Sequence, residues 1–211
     1  MIRHLFWDFD GTLYDSYPQL LHSVMAGLED VGYGSAFEAA EVLRLIKVNV
    51  YHGIQVCAQR LGIPVERLLN AYAVHHRQEG HFTPYSGLKE CLERLHAAGF
   101  RHYLYTHRDL AAVEQLKQDG LWPLFTDAVV HEDGFPAKPA PDALNALMAR
   151  NGLTPDQCAM VGDRDIDIDA GHNAGMSGFL FDPEGFYAGY PSELQACSME
   201  ELAKKLLAFK Y

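Results

Sequence analysis

The chain has 211 residues, 48% of them hydrophobic, and its 17 lysines and arginines against 28 aspartates and glutamates leave a formal charge of −11. This length and composition can bury one core, or a core and a small accessory domain, without disordered segments. The negative charge would repel a phosphate backbone, so no nucleic acid partner is expected. The sequence shows neither a long apolar leader nor a membrane-spanning stretch, which predicts a cytoplasmic protein with no membrane partner.

A short apolar strand is predicted over residues 5–7, and the segment after it is predicted to be helical. Between residues 16 and 81, apolar side chains recur at steps of three and four, as in Leu20, Val24 and Leu28. Turn-forming residues at 32–35 and 62–64 separate the helices, and residues 82–87 form a return linker. This stretch therefore reads as a helical insert.

From residue 88 onward, helices and strands alternate. Helices are predicted over residues 88–98, 110–118, 143–150 and 199–209, and strands over 102–106, 128–130, 158–161 and 178–181. Such alternation indicates a parallel sheet covered on both faces, with chemistry in the loops that follow the strands. The predicted fold class is α/β, with a Rossmann-like core of residues 1–15 and 83–211. A small α-helical domain, residues 16–82, is inserted after the first strand.

The cysteines and histidines indicate no zinc site. The 11 histidines show no His-x-x-x-His spacing and are expected to be polar residues of the core or the surface. The cysteines show no paired spacing, and a core of this size needs no disulfide bonds. All four are expected to be buried, reduced thiols: Cys57, Cys91, Cys158 and Cys197.

The most informative segment is the one that follows the first strand, Asp8-Phe9-Asp10-Gly11-Thr12. In an extended segment Asp8 and Asp10 project to the same side, Gly11 lets the backbone turn, and Thr12 offers a hydroxyl and an N–H. One carboxylate can attack while its neighbour moves protons, which suits covalent phosphoryl transfer. Taken alone, the Asp-Gly pair could also simply end a strand.

Two further polar residues are placed where such chemistry would need them. Thr106 closes a predicted strand, although a threonine there could equally form a turn, and Asp109 could cap the next helix. Lys138 lies in Lys-Pro-Ala-Pro-Asp, where the prolines stiffen the entry to a helix. Outside such a setting, a lysine before a proline is most often a solvated surface charge.

Residues 161–169 form a segment in which a strand enters a helix and four aspartates fall within seven positions. Asp163 and Asp167, four residues apart at a helix start, lie on one face, while Asp165 and Asp169 point elsewhere. Acids enriched in a first helical turn would explain one or two of these residues. Arg164 could pair with the neighbouring acids or anchor a ligand at the rim of the site.

Together these segments resemble the haloacid dehalogenase superfamily of phosphohydrolases. Residues 8–15 are similar to its first signature, Asp-x-Asp-x-Thr, and residues 161–169 are similar to its last. The resemblance implies a catalytic set of Asp8, Asp10, Thr106 and Lys138. It implies phosphate or substrate contacts from Gly11, Thr12, Thr106, His107 and Lys138, and a metal site of Asp8, Asp10, Asp163 and Asp167, to which Asp10 contributes its main-chain carbonyl oxygen.

A metal is also expected from the charges alone. Two carboxylates about 4 Å apart repel by roughly 4 kcal/mol at an effective dielectric constant of about 20, so four gathered acids need a cation. The four acids and Lys138 carry a formal charge of −3, which a divalent cation reduces to −1. An all-oxygen site beside a phosphate favours Mg²⁺, with Mn²⁺ as a substitute.

The position of the helical insert resembles that of the helical cap in phosphoglycolate phosphatase-like members of the family. Such a cap excludes water and selects the substrate. Lys47, Asn49 and His52 lie where the family places its specificity loop, although many relatives have glycine where Lys47 falls. Lys47 is therefore either a solvated charge at a helix end or a ligand of an anionic substrate such as phosphoglycolate or a sugar phosphate.

The resemblance implies a Mg²⁺-dependent phosphatase that hydrolyses a small phosphorylated metabolite through an aspartyl-phosphate, as a monomer or a weak homodimer. A phosphomutase of the β-phosphoglucomutase type would use the same core residues. Dehalogenation is less favoured, because Asp10 and Thr12 serve phosphoryl transfer. A non-catalytic binding module would leave the joint retention of the acids and Lys138 unexplained.

Overall fold

The computed structural model of the protein describes residues 1–78 and 80–209. This part of the chain divides into two compact units, one formed by Met1–Tyr14 together with the chain from Pro84 onward, the other by Asp15–Thr83. None of the helices in the described ranges has both the length and the apolar character that a bilayer crossing requires.

The secondary structure is as follows in chain order. The strands are β1 (His4–Trp7), β2 (Tyr14–Asp15), β3 (Thr83–Pro84), β4 (Arg101–Tyr105), β5 (Phe125–Val129), β6 (Cys158–Gly162), β7 (Ser177–Phe181) and β8 (Leu194–Ala196). The helices are α1 (Tyr17–Asp30), α2 (Ala39–Val48), α3 (Val50–Leu61), α4 (Val65–His76), α5 (Leu88–Ala97), α6 (Ala111–Gln118), α7 (Asp142–Asn151), α8 (Asp165–Asn173) and α9 (Met199–Ala208).

The unit that contains β1 is built on a parallel sheet. Within the described residues this sheet has six strands in the order β5-β4-β1-β6-β7-β8. Its ladder continues past the strand ends, since the Asp8 N–H donates to the Val161 carbonyl at 2.9 Å and the Thr106 N–H to the Val129 carbonyl at 3.1 Å. Neighbouring parallel strands end at one edge, so Asp8, Thr106 and Asp163 emerge side by side. The predicted α/β class with a parallel sheet is confirmed.

The sheet is held by apolar burial against its helices. Burial of apolar side-chain surface stabilises the fold by about 25 cal/mol per Å² removed from water. One cluster joins the sheet to α7 and α8 and includes Phe6, Tyr103, Tyr105, Val129, Leu144, Leu147, Met160 and Ala170.

The other unit is helical and contains α1 to α4. Its apolar positions recur at helical spacing and meet in a core of their own, which includes Tyr17, Leu20, Val24, Leu28, Val42, Ile46, Ile54, Cys57 and Leu68. Between α2 and α3, Asn49 acts as a helix cap, since its Oδ1 accepts the His52 N–H at 3.1 Å. The cap function expected for residues 16–82 stays a prediction.

Three short features differ from the sequence-based expectation. The edge strand β8 and the pair formed by β2 and β3 were not predicted, and β5 begins at Phe125 rather than at residue 128. Cys197, expected to be buried, is exposed, because it lies between β8 and α9. The other three cysteines are buried as expected.

Candidate active site

Three carboxylates meet at the edge of the sheet where β1 and β6 end. Asp8 follows β1, Asp163 follows β6, and Asp167 lies in the first turn of α8. All three are buried, and one oxygen of each lies within 4.8 Å of the others. The grouping follows from topology, because β1 and β6 are adjacent parallel strands.

Lys138 compensates part of this buried charge. Its side chain is 0% exposed, and its Nζ lies 2.5 Å from Asp8 Oδ1 and 2.8 Å from Asp167 Oδ1. The same Nζ donates to the Tyr105 carbonyl at 3.1 Å and lies 4.5 Å from the centre of the Tyr105 ring. The burial of this side chain shows that the alternative of a solvated surface charge at Lys138 is wrong. The peptide bond between Lys138 and Pro139 is cis.

The protonation of this cluster is set by burial and by the charges within it. Burial raises the pKa of Asp8 to about 7, although Lys138 acts in the opposite direction. Burial alone would lower the pKa of Lys138, but the attraction of Asp167 and Asp8 outweighs it and raises that pKa. Burial likewise opposes the charge on Asp167, yet Lys138 and Arg164 hold the pKa of Asp167 below its usual value. A further cation beside Asp8 would favour its carboxylate form.

The three carboxylates fit a hard divalent cation. Asp8 Oδ2 is buried and, among the described residues, accepts no hydrogen bond. An unpartnered buried carboxylate oxygen is costly, and a cation with oxygen ligands would satisfy it. The side chain of Asp10 lies outside this group, since the described cluster consists of Asp8, Asp163 and Asp167. Metal binding through the Asp10 main-chain carbonyl stays a prediction.

The Asp10 side chain instead pairs with Arg108, a residue that the sequence analysis did not single out. Arg108 Nε donates to Asp10 Oδ1 at 2.9 Å and to Oδ2 at 2.7 Å. Both side chains are partly exposed, and the guanidinium carbon lies 5.5 Å from the centre of the Phe9 ring. The position of Arg108, two residues after Thr106 at a strand end, was the one sequence signal for its role.

The expected phosphate ligands lie around the same edge. Gly11 has a φ of 75°, a left-handed conformation that suits glycine, and its N–H donates to the Tyr14 carbonyl at 2.8 Å. Thr12 Oγ1 is buried with no hydrogen-bond partner within the described part of the chain. Thr106 Oγ1 accepts the Arg108 N–H at 3.0 Å, a bond that does not use the hydroxyl proton.

His107 and Arg164 have defined partners in the structure. His107 Nε2 accepts the backbone N–H of Lys138 at 3.1 Å, which fixes the loop that carries the lysine. Burial of the ring and the charge of Lys138 lower the pKa of His107. Arg164 Nε lies 3.8 Å from Asp163 Oδ1 and 3.9 Å from Asp167 Oδ2, so this arginine pairs with the neighbouring acids. Substrate contact by His107 stays a prediction.

The two arginines change the charge balance of the site. Asp8, Asp10, Asp163 and Asp167 are accompanied by Lys138, Arg108 and Arg164 rather than by the lysine alone. Four carboxylates and three cations leave a single net negative charge. A divalent cation would therefore make the site net positive and attractive to a phosphate dianion.

Lys47 belongs to the helical unit and lies near the end of α2. Its side chain is buried, and its ammonium group lies 4.3 Å from the centre of the Tyr17 ring, within the range of a cation–π interaction. The alternative that Lys47 is a solvated helix-end charge is therefore wrong. Its proposed contact with the substrate stays a prediction.

Comparisons with known proteins agree with this geometry. A family model described as haloacid dehalogenase-like hydrolase matches residues 5–180. The chain is 33% identical to a phosphoglycolate phosphatase of Aliivibrio fischeri, over 98% of this chain and 96% of that protein. It is 36% identical to a phosphoglycolate phosphatase of Vibrio cholerae, over 84% of this chain and 83% of that one.

A solved structure supports the fold. The crystal structure of a haloacid dehalogenase-superfamily hydrolase of subfamily IA from Geobacter sulfurreducens aligns with a TM-score of 0.75 over 97% of this chain and 96% of that one. The identity between the two sequences is 20%, so the likeness concerns the fold alone.

Proposed function

The chain belongs to the haloacid dehalogenase-like hydrolase family and is a phosphatase of that family, and we propose that it cleaves a small phosphate monoester through an aspartyl-phosphate on Asp8. The observation that carries this proposal is the buried group of Asp8, Asp163 and Asp167 around the Lys138 ammonium. A buried nucleophilic carboxylate with fixed cations beside it is what attack on a phosphate anion requires.

The proposed reaction uses two carboxylates in turn. Asp8 attacks phosphorus, forms a bond between its carboxylate oxygen and phosphorus, and displaces the alkoxide of the ester. Asp10 gives a proton to that alkoxide, and later takes a proton from the water that attacks the phosphorus. Release of phosphate then restores Asp8. To serve in both steps, the Asp10 carboxylate must reach the ester oxygen.

The remaining residues bind and stabilise the phosphoryl group in this proposal. Lys138 holds Asp8 by its Oδ1 and places positive charge beside it. The Thr12 and Thr106 hydroxyls are suited to donate to phosphoryl oxygens. Asp8, Asp163 and Asp167, with the Asp10 main-chain carbonyl, would hold Mg²⁺ or Mn²⁺, which when bound would supply positive charge that offsets the charge of the phosphate and its nucleophile.

The substrate class rests on the relatives and on charge. The relatives from Aliivibrio fischeri and Vibrio cholerae are named phosphoglycolate phosphatases, which favours a phosphoglycolate- or sugar-phosphate-like ester here. A mutase reaction would use the same core residues, but relatives at this level of identity are named phosphatases, so the mutase is not favoured. The helical unit as a cap, and Lys47 as a ligand of an anionic substrate, belong to the same proposal.

Phosphate release from a panel of small esters, with and without Mg²⁺, tests this function. The panel includes phosphoglycolate, sugar phosphates and an aryl phosphate, and the variants are Asp8→Asn and the surface control Asp156→Asn. We expect metal-dependent release that falls by about a thousandfold or more in Asp8→Asn, as expected on removal of a nucleophile, and that is unchanged in Asp156→Asn. Substantial turnover by Asp8→Asn would refute the covalent mechanism.

A further inference from the structure

The β7–β8 loop runs from Asp182 to Glu193 and is fixed at both ends. At its start, the Asp182 carboxylate accepts the backbone N–H groups of Phe186 at 2.9 Å and Tyr187 at 2.8 Å. At its end, the Glu193 N–H donates to the Gly178 carbonyl in β7 at 3.0 Å, and Glu193 Oε2 accepts the Gly178 N–H at 2.6 Å. A loop held in this way can act as a rigid support for a neighbouring element.

The element that this loop contacts is α8. The Tyr190 hydroxyl donates to Asp169 Oδ1 at 2.6 Å, and Glu193 Oε2 lies 3.0 Å from His172 Nε2. Asp169 and His172 are three positions apart and therefore lie on one face of the helix. The hydrogen bond to Asp169 raises the pKa of Tyr190 to about 12, so the hydroxyl keeps its proton at neutral pH. The loop thus supports α8 at two successive turns.

The contact with Tyr190 gives a role to an aspartate that the proposed reaction does not use. Asp169 is not part of the described carboxylate group, but it follows Asp167 by only two positions. Two positions correspond to about 200° around a helix, so the two side chains project to nearly opposite sides of α8. Asp167 is held on one side by Lys138 at 2.8 Å, and Asp169 is held on the other by Tyr190. Rotation of α8 about its axis is therefore opposed from both sides.

We propose that Tyr190 is a positioning residue for the metal site, because through Asp169 it fixes the rotation of α8 and hence the place of the Asp167 carboxylate. The inference rests on the proposed function, which takes Asp8, Asp163 and Asp167 as ligands of Mg²⁺. A different role for Asp169 would be to attract the cation by its charge alone. The Tyr190 hydroxyl matters in the first case, and the charge of Asp169 matters in the second.

Mg²⁺ binding to the chelator-treated protein separates these roles. MgCl₂ is titrated by isothermal calorimetry in the absence of any ester, so the readout does not depend on turnover. Tyr190→Phe removes the hydroxyl, whereas Asp169→Asn removes the charge and keeps an oxygen that can accept the Tyr190 proton. The control Tyr103→Phe removes a tyrosine hydroxyl that lies 3.1 Å from His4 Nδ1 at the start of β1. Thermal unfolding of the same proteins without Mg²⁺ compares their stability.

We expect Tyr190→Phe to raise the Kd for Mg²⁺ by about threefold to tenfold. Loss of a direct outer partner of a metal ligand typically costs about tenfold to a hundredfold in affinity, and Tyr190 acts one step further away, through the helix. Asp169→Asn should stay within about twofold of the wild type, because the amide oxygen keeps the hydrogen bond. Tyr103→Phe should bind Mg²⁺ like the wild type, although it also loses a hydroxyl contact.

Three results would overturn the inference while the wild type binds Mg²⁺. Wild-type affinity in Tyr190→Phe would mean that the hydroxyl does not position the site. A loss of affinity confined to Asp169→Asn would assign the effect to charge, and equal losses in Tyr190→Phe and Tyr103→Phe would assign it to general stability. A wild-type protein that binds no Mg²⁺ would instead refute the metal site of the proposed function, and the inference with it.

Discussion

Lys138 is the residue on which the electrostatic balance of the site depends. Its ammonium lies between Asp8 and Asp167, and all three side chains are buried. Removal of one partner of a buried ion pair costs about 3 to 5 kcal/mol, because the charge left behind is neither solvated nor compensated. Without Lys138 the pKa of Asp8, already about 7, would rise, so Asp8 would relieve part of this cost by binding a proton, whereas Asp167 would keep only the longer contact with Arg164.

We therefore expect Lys138→Met to lower the free energy of unfolding by about 3 kcal/mol or more in the absence of divalent cations, and to abolish turnover. Urea unfolding at pH 7.5 in the presence of a chelator measures the first effect. Lys89→Met is the control, since Lys89 is exposed and its contact with Glu93 is 4.0 Å long, worth less than about 0.5 kcal/mol. Equal stability of the two variants would contradict this account.

The sequence analysis predicted some residues of the candidate site and not others for a physical reason. Asp8, Thr106 and Lys138 lie beside strand ends or in a proline-stiffened turn, so local pattern and family resemblance were enough to find them. The pairing of Arg108 with Asp10 could not be predicted, because the two residues follow different strands and are 98 positions apart in the sequence. Whether Arg164 faces the acids or the rim likewise depends on side-chain direction, which the spacing of residues does not fix.

The junction between β6 and α8 shows how two elements build the site together. A Cβ placed on Gly162, the last residue of β6, would lie 2.1 Å from the Cβ and 2.4 Å from the Cγ of Asp167 in α8. The glycine is needed for this close approach, since no real Cβ contact is so short. The approach brings Asp167 against Lys138 and beside Asp8.

We expect Gly162→Ala to displace Asp167, to reduce turnover by at least about a hundredfold and to lower stability by about 1 to 3 kcal/mol through overpacking. Gly80→Ala is the matched control, since its added methyl would meet no atom of the described residues within 4 Å. Steady-state kinetics and urea unfolding of both variants give the comparison. Full activity in Gly162→Ala would mean that α8 can shift without loss of the site.

The strands that the sequence analysis did not predict are too short to show an alternating hydrophobic pattern. The strand β8 has three residues at the sheet edge, and β2 and β3 have two each, whereas an alternating pattern needs about four or more. The start of β5 was missed because Thr126 and Asp127 interrupt its apolar run. The sequence analysis correctly predicted the long helices as helices and the central strands as strands, because burial sets their hydrophobic periodicity.

At the level of the whole molecule, a buried histidine couples the stability of the α/β unit to pH. The Trp7 Nε1–H donates to His102 Nδ1 at 3.0 Å, which leaves Nε2 to carry the proton and donate to the Leu92 carbonyl at 3.2 Å. Burial lowers the pKa of His102 to about 4; the Leu92 carbonyl opposes this change, and His96 and Arg101 add to it. The ring is therefore neutral in the folded protein over most of the accessible pH range.

This lowered pKa predicts the direction of the pH dependence. Above pH 6.5 His102 is neutral in both the folded and the unfolded chain, so its contribution to stability is fully present. Between pH 6.5 and about 4 only the unfolded chain binds the proton, so the free energy of unfolding falls as the pH falls, by up to about 3 kcal/mol.

A comparison of the wild type with His102→Gln isolates this effect, because glutamine keeps polar atoms for Trp7 and the Leu92 carbonyl but does not titrate. Urea unfolding followed by tryptophan fluorescence at pH 7.5 and pH 4.5 measures the stability of both proteins. We expect the wild type to lose about 2 to 3 kcal/mol more than the variant over this interval. Groups such as Asp8 and His107 are present in both proteins, so their contributions cancel in the difference. Equal losses in the two proteins would show that the pKa of His102 is the same in the folded and the unfolded chain. The pH dependence of stability would then arise from other groups.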